Sequence, residues 1–317
     1  MAASEPGTWS IQAPLPFAVQ EIYPAAFGER ILLAGGIVDD PDSGIAGSPR
    51  TVIYLQDQAA WVDGPDLPIA LHHPGLVALP DRLFAIGGFV ADGRGFWQMQ
   101  ASVFILDRDL KAWTPGPALP SPRAEFVADQ IDGQIIVTGG RRPAGTSNRD
   151  YGDHADVDET LLFDPATGRW QQGRPSPTAR NSAAGAILGG RLHVVGGRRS
   201  TEGGIHNLAV HEAYDPAADR WSERAPMPQA QGGLAAAAFG NRLYAFGGEV
   251  FGARSGVFKE SWVYHPNTDR WEAIAPLPLP RHGLGAVTLA DGIHVIGGAT
   301  RPGAEGRSDR HDLYRPA

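Results

Sequence analysis

The chain has 317 residues, 42% of them apolar and none of them cysteine, so a full core can be buried while disulfides, thiolate metal sites and thiol nucleophiles are excluded. A formal net charge of -8, without any lysine- or arginine-rich stripe, argues against nucleic-acid and membrane partners. No window reaches the ~18 apolar residues of a membrane-crossing helix, and MAASEPGTW has neither the basic start nor the apolar stretch of a secretory signal, so a soluble, cytoplasmic monomer is expected, or a periplasmic one if a leader has been removed.

In chain order, the first element is GTWSIQAPLP around Trp9, a strand ended by proline, which cannot continue a ladder. RILLAGG at 30–36 is a short apolar run closed by paired glycines; an apolar strand at Tyr54 and a second tryptophan strand at Trp61 follow. The succession then recurs as RLFAIGG, Leu106, Trp113; QIIVTGG, Phe163, Trp170; RLHVVGG, Tyr214, Trp221; RLYAFGG, Tyr264, Trp271; and finally GIHVIGG with RHDLYRPA. The glycine pairs begin at 35, 87, 139, 196, 247 and 297, and each begins 26 residues after a tryptophan. No helical period competes with these runs, and segments such as GLAAAAFGN and GLGAVTLADG add a small-residue strand joined by a tight turn. Each unit is therefore a four-stranded antiparallel sheet.

The glycine pairs, the FDP and YDP of Phe163 and Tyr214 and the spaced tryptophans resemble the kelch repeat, whose sheets are the blades of a β-propeller. The resemblance covers essentially the whole chain. It implies an all-β fold: a six-bladed kelch-type β-propeller with four antiparallel strands per blade, a single domain over 1–317. The chain opens on a tryptophan strand and ends on a tyrosine strand, each lacking what the other has. The N-terminal strand, 7–14, is expected to pair with the C-terminal blade, 271–317, and so to leave no open sheet edge.

All length variation falls between a glycine pair and the next aromatic residue, and function is expected in those loops. In kelch propellers they share a face with the connections between blades, around the channel. That places Ile37, Phe89, Arg141, Arg198, Glu249 and Ala299 at one mouth, together with the residues 11 and 12 after each tryptophan, among them Glu21, His72, His73, Glu125, Asn181 and His282. Arg141 and Arg198 would hold an anionic group by charge-assisted bonds. Glu249, with His282 or His73, would move protons. Arg254, Glu21, Glu125, His72, Asn181, Phe89 and Trp97 would complete the ligand surface.

Other charged residues read as scaffold. Arg123, Arg180 and Arg281 stand where the kelch pattern favours arginine, and His193, His294 and His206 fall on strands or outer loops. The acidic loop around Asp150, Asp153, Asp156 and Asp158 matches no cation loop and reads as solvated. No cofactor and no metal are expected: the cysteine of a galactose-oxidase-type copper site is absent, and so are the Glu-x3-Asp-x3-His run of plant specifier proteins and a Walker loop.

The bacterial N-acetylneuraminate mutarotases are six-bladed kelch propellers with an active-site glutamate just after a glycine pair and an arginine beyond it. FGGEVFGARSG resembles that pattern, with Glu249 in the glutamate's place and Arg254 five residues on. The resemblance implies an isomerase or mutarotase using metal-independent acid–base chemistry on an anionic or sugar-like small molecule. The alternatives are a kelch interaction module binding an acidic peptide on the same face, against which no BTB or F-box segment stands in the sequence, a lyase or cyclase with the same proton-transfer groups, and a purely structural propeller.

Overall fold

The computed structural model describes residues 7–90, 96–253 and 255–317. Six four-stranded antiparallel sheets follow one another as blades. Blade 1 is formed by Ala25–Phe27, Arg30–Ala34, Thr51–Leu55 and Ala60–Asp63, and the next four blades repeat that order. Blade 6 takes Gly285–Leu289, Gly292–Ile296 and His311–Arg315, and its outermost strand is Thr8–Ile11, with Trp9 opposite Tyr314. The strand Arg270–Ala273, which carries Trp271, belongs to blade 5. Among the described residues no helix is long and apolar enough to cross a membrane.

The second strand of each blade is buried along almost its whole length, because the neighbouring blades cover both of its faces. Apolar clusters accordingly lie between blades: Leu32 and Ile53 of blade 1 pack with Leu83, Phe104 and Trp113 of blade 2. The tryptophans tie this stack into a ring. The indole Nε1 of each of the six repeat tryptophans donates to a carbonyl four residues past the preceding one, from Trp61 to Ala13 at 3.1 Å through Trp271 to Ala225 at 2.9 Å, and Trp9 closes the circle on Ala275 at 3.1 Å.

The paired glycines have a steric cause. All twelve have φ between 57° and 109°, where a side chain is strained. A Cβ on the first glycine of each pair would stand 2.3 to 3.0 Å from a backbone carbonyl of the next connection: that of Arg123 for Gly87, that of Arg281 for Gly247. The second glycine's N–H donates to that same carbonyl, as from Gly88 to Arg123 and from Gly248 to Arg281, both at 2.9 Å. These glycines join blades.

The three scaffold arginines are deeply buried and paired. Arg180 meets Glu212 at 2.6 Å, Arg281 meets Asp312 at 2.9 Å, and Arg123 meets Glu159. Two histidine pairs occupy equivalent places in blades 4 and 6, His193 Nδ1 to His211 Nε2 and His294 Nδ1 to His311 Nε2, each at 2.8 Å. Burial is the main cause that pushes His193 down to about 4 and His211 and His311 down to about 3.

Candidate functional site

Two consecutive residues in every connection between blades build the mouth of the channel. The first forms a bridge with the residue that follows the glycine pair: Gln20 with Ile37, His72 with Phe89, Ala124 with Arg141, Asn181 with Arg198, Gly232 with Glu249 and His282 with Ala299. The second has a left-handed backbone in all six connections: Glu21, His73, Glu125, Ser182, Gly233 and Gly283, with φ from 47° to 66°. For the four residues with a side chain this conformation costs on the order of 1 kcal/mol each. Their backbones link around the axis, since Glu21 donates to Gly283, Gly283 to Gly233, Gly233 to Ser182 and Ser182 to Glu125, at 2.7 to 3.0 Å. The glycines leave room: a Cβ at Gly233 would meet Arg198 Nη2 at 2.7 Å, and one at Gly283 would meet Glu21 Oε1 at 2.7 Å.

The loops after the glycine pairs stand on this ring. In five blades they are two-stranded ribbons, such as Arg198–Thr201 with Gly204–Asn207. Together they enclose a cavity of about 200 Å³. Its polar floor is Glu21, His73, Glu125, Arg198 and Glu249, and its upper wall is Ile37, Trp97, Tyr151, Ile205 and Phe251. Further along the channel a narrower void of about 90 Å³ is lined by Tyr23, Leu76, Phe126, Leu234 and the starts of the inner strands.

The floor is one polar network whose proton positions follow from its ends. His72 Nε2 lies 2.7 Å from the Phe96 carbonyl, which only accepts, so Nε2 carries the proton and His72 Nδ1 is left as an acceptor. Burial and the neighbouring His73 hold His72 well below the usual histidine range, consistent with a neutral ring. His73 Nδ1, 2.7 Å away, therefore donates to His72, and His73 Nε2 donates to Glu21 Oε2 at 3.0 Å. Burial opposes the charge on Glu21, but His73 and His282 outweigh it and hold that carboxyl well below its usual range. Glu249 accepts from Arg198 at 2.8 Å and from the Gly303 N–H at 2.8 Å. Its carboxyl is lowered too, because Arg198 and His282 overcome burial. Glu125 is the least committed of the three, with one bond from Ser182 Oγ at 3.2 Å and His73 Nε2 at 4.0 Å.

The structure thus brings Glu21, His73, Trp97, Glu125, Arg198 and Glu249 to one cavity. Other expected site residues do not line it. Arg141 turns outward to the His154 carbonyl at 2.9 Å and to Asp156 at 3.4 Å, and the Tyr151 ring covers its guanidinium at 3.7 Å. The two arginines therefore do not converge on one anion: Arg141 is spent on Asp156, Arg198 on Glu249. His72 and Phe89 are buried behind the floor, where His72 stacks between Phe89 and Phe96. Asn181 is held by Asp156 at 2.6 Å, and His282 lies beneath Glu21 and Glu249. Arg254 lies outside the described residues. Tyr151, Ile205 and Phe251 were missed, because they come from loops that share no period.

A family model for the Kelch motif matches residues 179–228 and 232–278. The chain is 26% identical over 252 residues to the Kelch-like protein terF of Aspergillus terreus, a match covering 77% of this chain and 54% of that protein. It is 25% identical to Beta-scruin of Limulus polyphemus, over 71% of this chain and 24% of that one, and 33% identical to human Kelch-like protein 25, over 46% of this chain and 24% of that one. The chain thus spans about half the length of the first of these relatives and about a quarter of the other two. A solved structure titled "Structure of YjhT" superposes with a TM-score of 0.78 at 18% identity, covering 94% of this chain and 95% of that one, which shows a shared fold. Six blades, six glycine pairs and the closing tryptophan strand make this chain a six-bladed β-propeller, in which Kelch motifs are matched over residues 179–228 and 232–278.

Proposed function

We propose that the protein is an enzyme of isomerase or mutarotase type that moves a proton on a small, uncharged, ring-shaped molecule held in the channel mouth. The observation that carries this reading is the pairing of Glu125 and His73 on the cavity floor, 4.0 Å apart, with opposite proton inventories. Glu125 has lone pairs to spare and acts as the base. His73 has both nitrogens as donors: Nδ1 is fixed by His72, while the Nε2 proton, resting on Glu21, is the one it can hand to a ligand as the acid. A base and an acid side by side are what ring opening and closure at a sugar's anomeric carbon require, each contributing roughly 10²–10⁴-fold. Glu249 and His282 take another part: Glu249 is tied by Arg198 and Gly303, and His282 is shut off from the cavity.

The wall favours a neutral ring over the anion that two free arginines would have suited. Trp97, Tyr151 and Phe251 offer faces for the C–H side of a sugar ring, while its hydroxyls meet the carboxylates and His73 below. A concave cavity of this size fits a small molecule better than a peptide. The test is anomer exchange followed by NMR with galactose and, as its anionic counterpart, N-acetylneuraminate. Faster exchange of the neutral sugar is expected, with Glu125→Gln reducing the enhancement at least 10²-fold. Enhancement of neither sugar, or enhancement that survives Glu125→Gln, would overturn the assignment.

A further inference from the structure

His282 has no role in that proton transfer, yet its surroundings demand an occupant. Its Nε2 lies 2.9 Å from the Arg301 carbonyl, so the Nε2 proton is committed there. Its Nδ1 points between Glu21 Oε1 at 3.4 Å and Glu249 Oε1 at 3.2 Å. The residue is fully buried, and Nδ1 has no hydrogen-bond partner among the described residues. A bare lone pair facing two carboxylates is untenable, so something positive must stand between them.

A proton is one answer, and burial notwithstanding, the two carboxylates raise His282 to about 9. The separations admit a second answer. Charge-assisted N–H···O bonds run about 2.7–2.9 Å, and both contacts are longer. Two ligands of one tetrahedral ion at about 2.0–2.1 Å stand roughly 3.3–3.4 Å apart, close to the 3.4 and 3.2 Å that separate His282 Nδ1 from Glu21 and Glu249.

We propose that His282 Nδ1, Glu21 and Glu249 form a binding site for a divalent transition-metal ion of the zinc class, set in the floor of the channel mouth. Their ligand atoms all lie within 4.8 Å of one another. One imidazole and two carboxylates are a borderline donor set, suited to zinc or manganese more than to magnesium. Three protein ligands leave a coordination position open, and since Glu21 and Glu249 line the cavity it opens there. The outer partners that orient ligands are in place as well: the Arg301 carbonyl on His282 Nε2, the Gly303 N–H on Glu249 Oε2 and His73 Nε2 on Glu21 Oε2. Arg198 Nη2 shares Glu249 Oε1 with the ion and takes one of that oxygen's two lone pairs. Glu21 and His282 stand in two inter-blade connections and Glu249 follows a glycine pair, so no single sequence spacing announces them, and the proposal departs from the expectation of a metal-free site. The site stands or falls independently of the enzymatic reading, because it needs no substrate.

The experiment is calorimetric titration of the full chain, stripped with chelator, with ZnCl2 and separately with MgCl2. One zinc ion per chain is expected at micromolar affinity or better, with magnesium at least ~10²-fold weaker. Glu21→Gln and His282→Gln should each weaken zinc at least ~10²-fold, while Glu125→Gln, which alters the proposed base but no ligand, leaves it unchanged. Glu21→Gln guards against misfolding of the His282 variant, and melting curves verify both. No zinc binding by the parent chain at 100 μM, or the same affinity in the parent and in folded Glu21→Gln, would overturn the proposal, whatever the sugars do.

Discussion

Two positions of the same connecting segment, two residues apart, carry opposite assignments. Ten residues after the tryptophan, Arg123, Arg180 and Arg281 turn back into the protein and meet a carboxylate at or just before the third strand of the blade that follows them. Twelve residues after it, Glu21, His73 and Glu125 turn into the channel on left-handed backbone, and their partners come from other connections: His73 and His282 for Glu21, Ser182 for Glu125. A buried charge whose partner recurs with the repeat is scaffold. One whose partner lies in another repeat belongs to the mouth. Stability should therefore follow the first set and ligand or metal binding the second.

The sharpest way to break the scaffold half of this comparison is at the ring's closure. Deleting residues 1–12 removes the Thr8–Ile11 ladder on His311–Arg315 and the Trp9 ring on Tyr314. Ladder bonds at about 1 kcal/mol each and an aromatic side chain at about 2 kcal/mol put the loss near 5 kcal/mol. Guanidinium unfolding of the deletion variant should show it, and a loss below about 1 kcal/mol would mean that the seam is not structural.

Next in size is a single recurring charge. Arg180→Met leaves Glu212 buried with only the Thr178 hydroxyl at 2.6 Å, and stranding one partner of a buried pair costs about 3–5 kcal/mol. The same denaturation experiment reads it, and a near-neutral result would remove the arginine from the scaffold.

Acid tests the histidine pairs of blades 4 and 6. His193, His211 and His311 titrate near 3 to 4 when folded and in the ordinary histidine range when unfolded, so between those values the unfolded chain holds more protons. Stability is therefore intact above about pH 6.5 and falls as pH drops toward 4, by on the order of 3 kcal/mol for each of these histidines. Urea midpoints at pH 7, 5.5 and 4 should decline in that order. Replacing His193 and His211 together by Gln should flatten the decline, and an unchanged slope would clear that pair of responsibility.

The sequence made the blades legible because their causes recur. A carbonyl behind every first glycine and an indole acceptor four residues past each of the six repeat tryptophans impose one residue type at one spacing, and spacing is visible in a string. Trp97 apart, the mouth was legible only where it borrows that spacing: Glu21, His73, Glu125, Arg198 and Glu249 all sit at fixed offsets from a tryptophan or a glycine pair. Offset gives the place and not the neighbour. Arg141 and Arg198 share one offset, yet Tyr151 and Asp156, from a loop with its own length and composition, take Arg141 out of the cavity. Tyr151, Ile205 and Phe251 have no offset in common, and their convergence is a property of ribbons packed over the ring.

The smallest expected effect is the most exacting test of the comparison, because it sets two buried arginine–carboxylate pairs of similar geometry against each other. Arg198 meets Glu249 at 2.8 Å, as Arg180 meets Glu212 at 2.6 Å. Arg198→Met should nonetheless cost only about 1–2 kcal/mol, against about 3–5 for Arg180→Met. Glu249 keeps the Gly303 N–H and stands 3.2 Å from His282, so it is not left bare. The offset itself tolerates an apolar side chain, since Ile37, Phe89 and Ala299 occupy it fully buried in other blades. The remaining loss is the guanidinium over Phe251, 5.1 Å from the ring, worth roughly 0.5–1 kcal/mol. If denaturation finds the two variants equally damaged, recurrence does not separate scaffold from site in this propeller, and the mouth's charges are as structural as those between its blades.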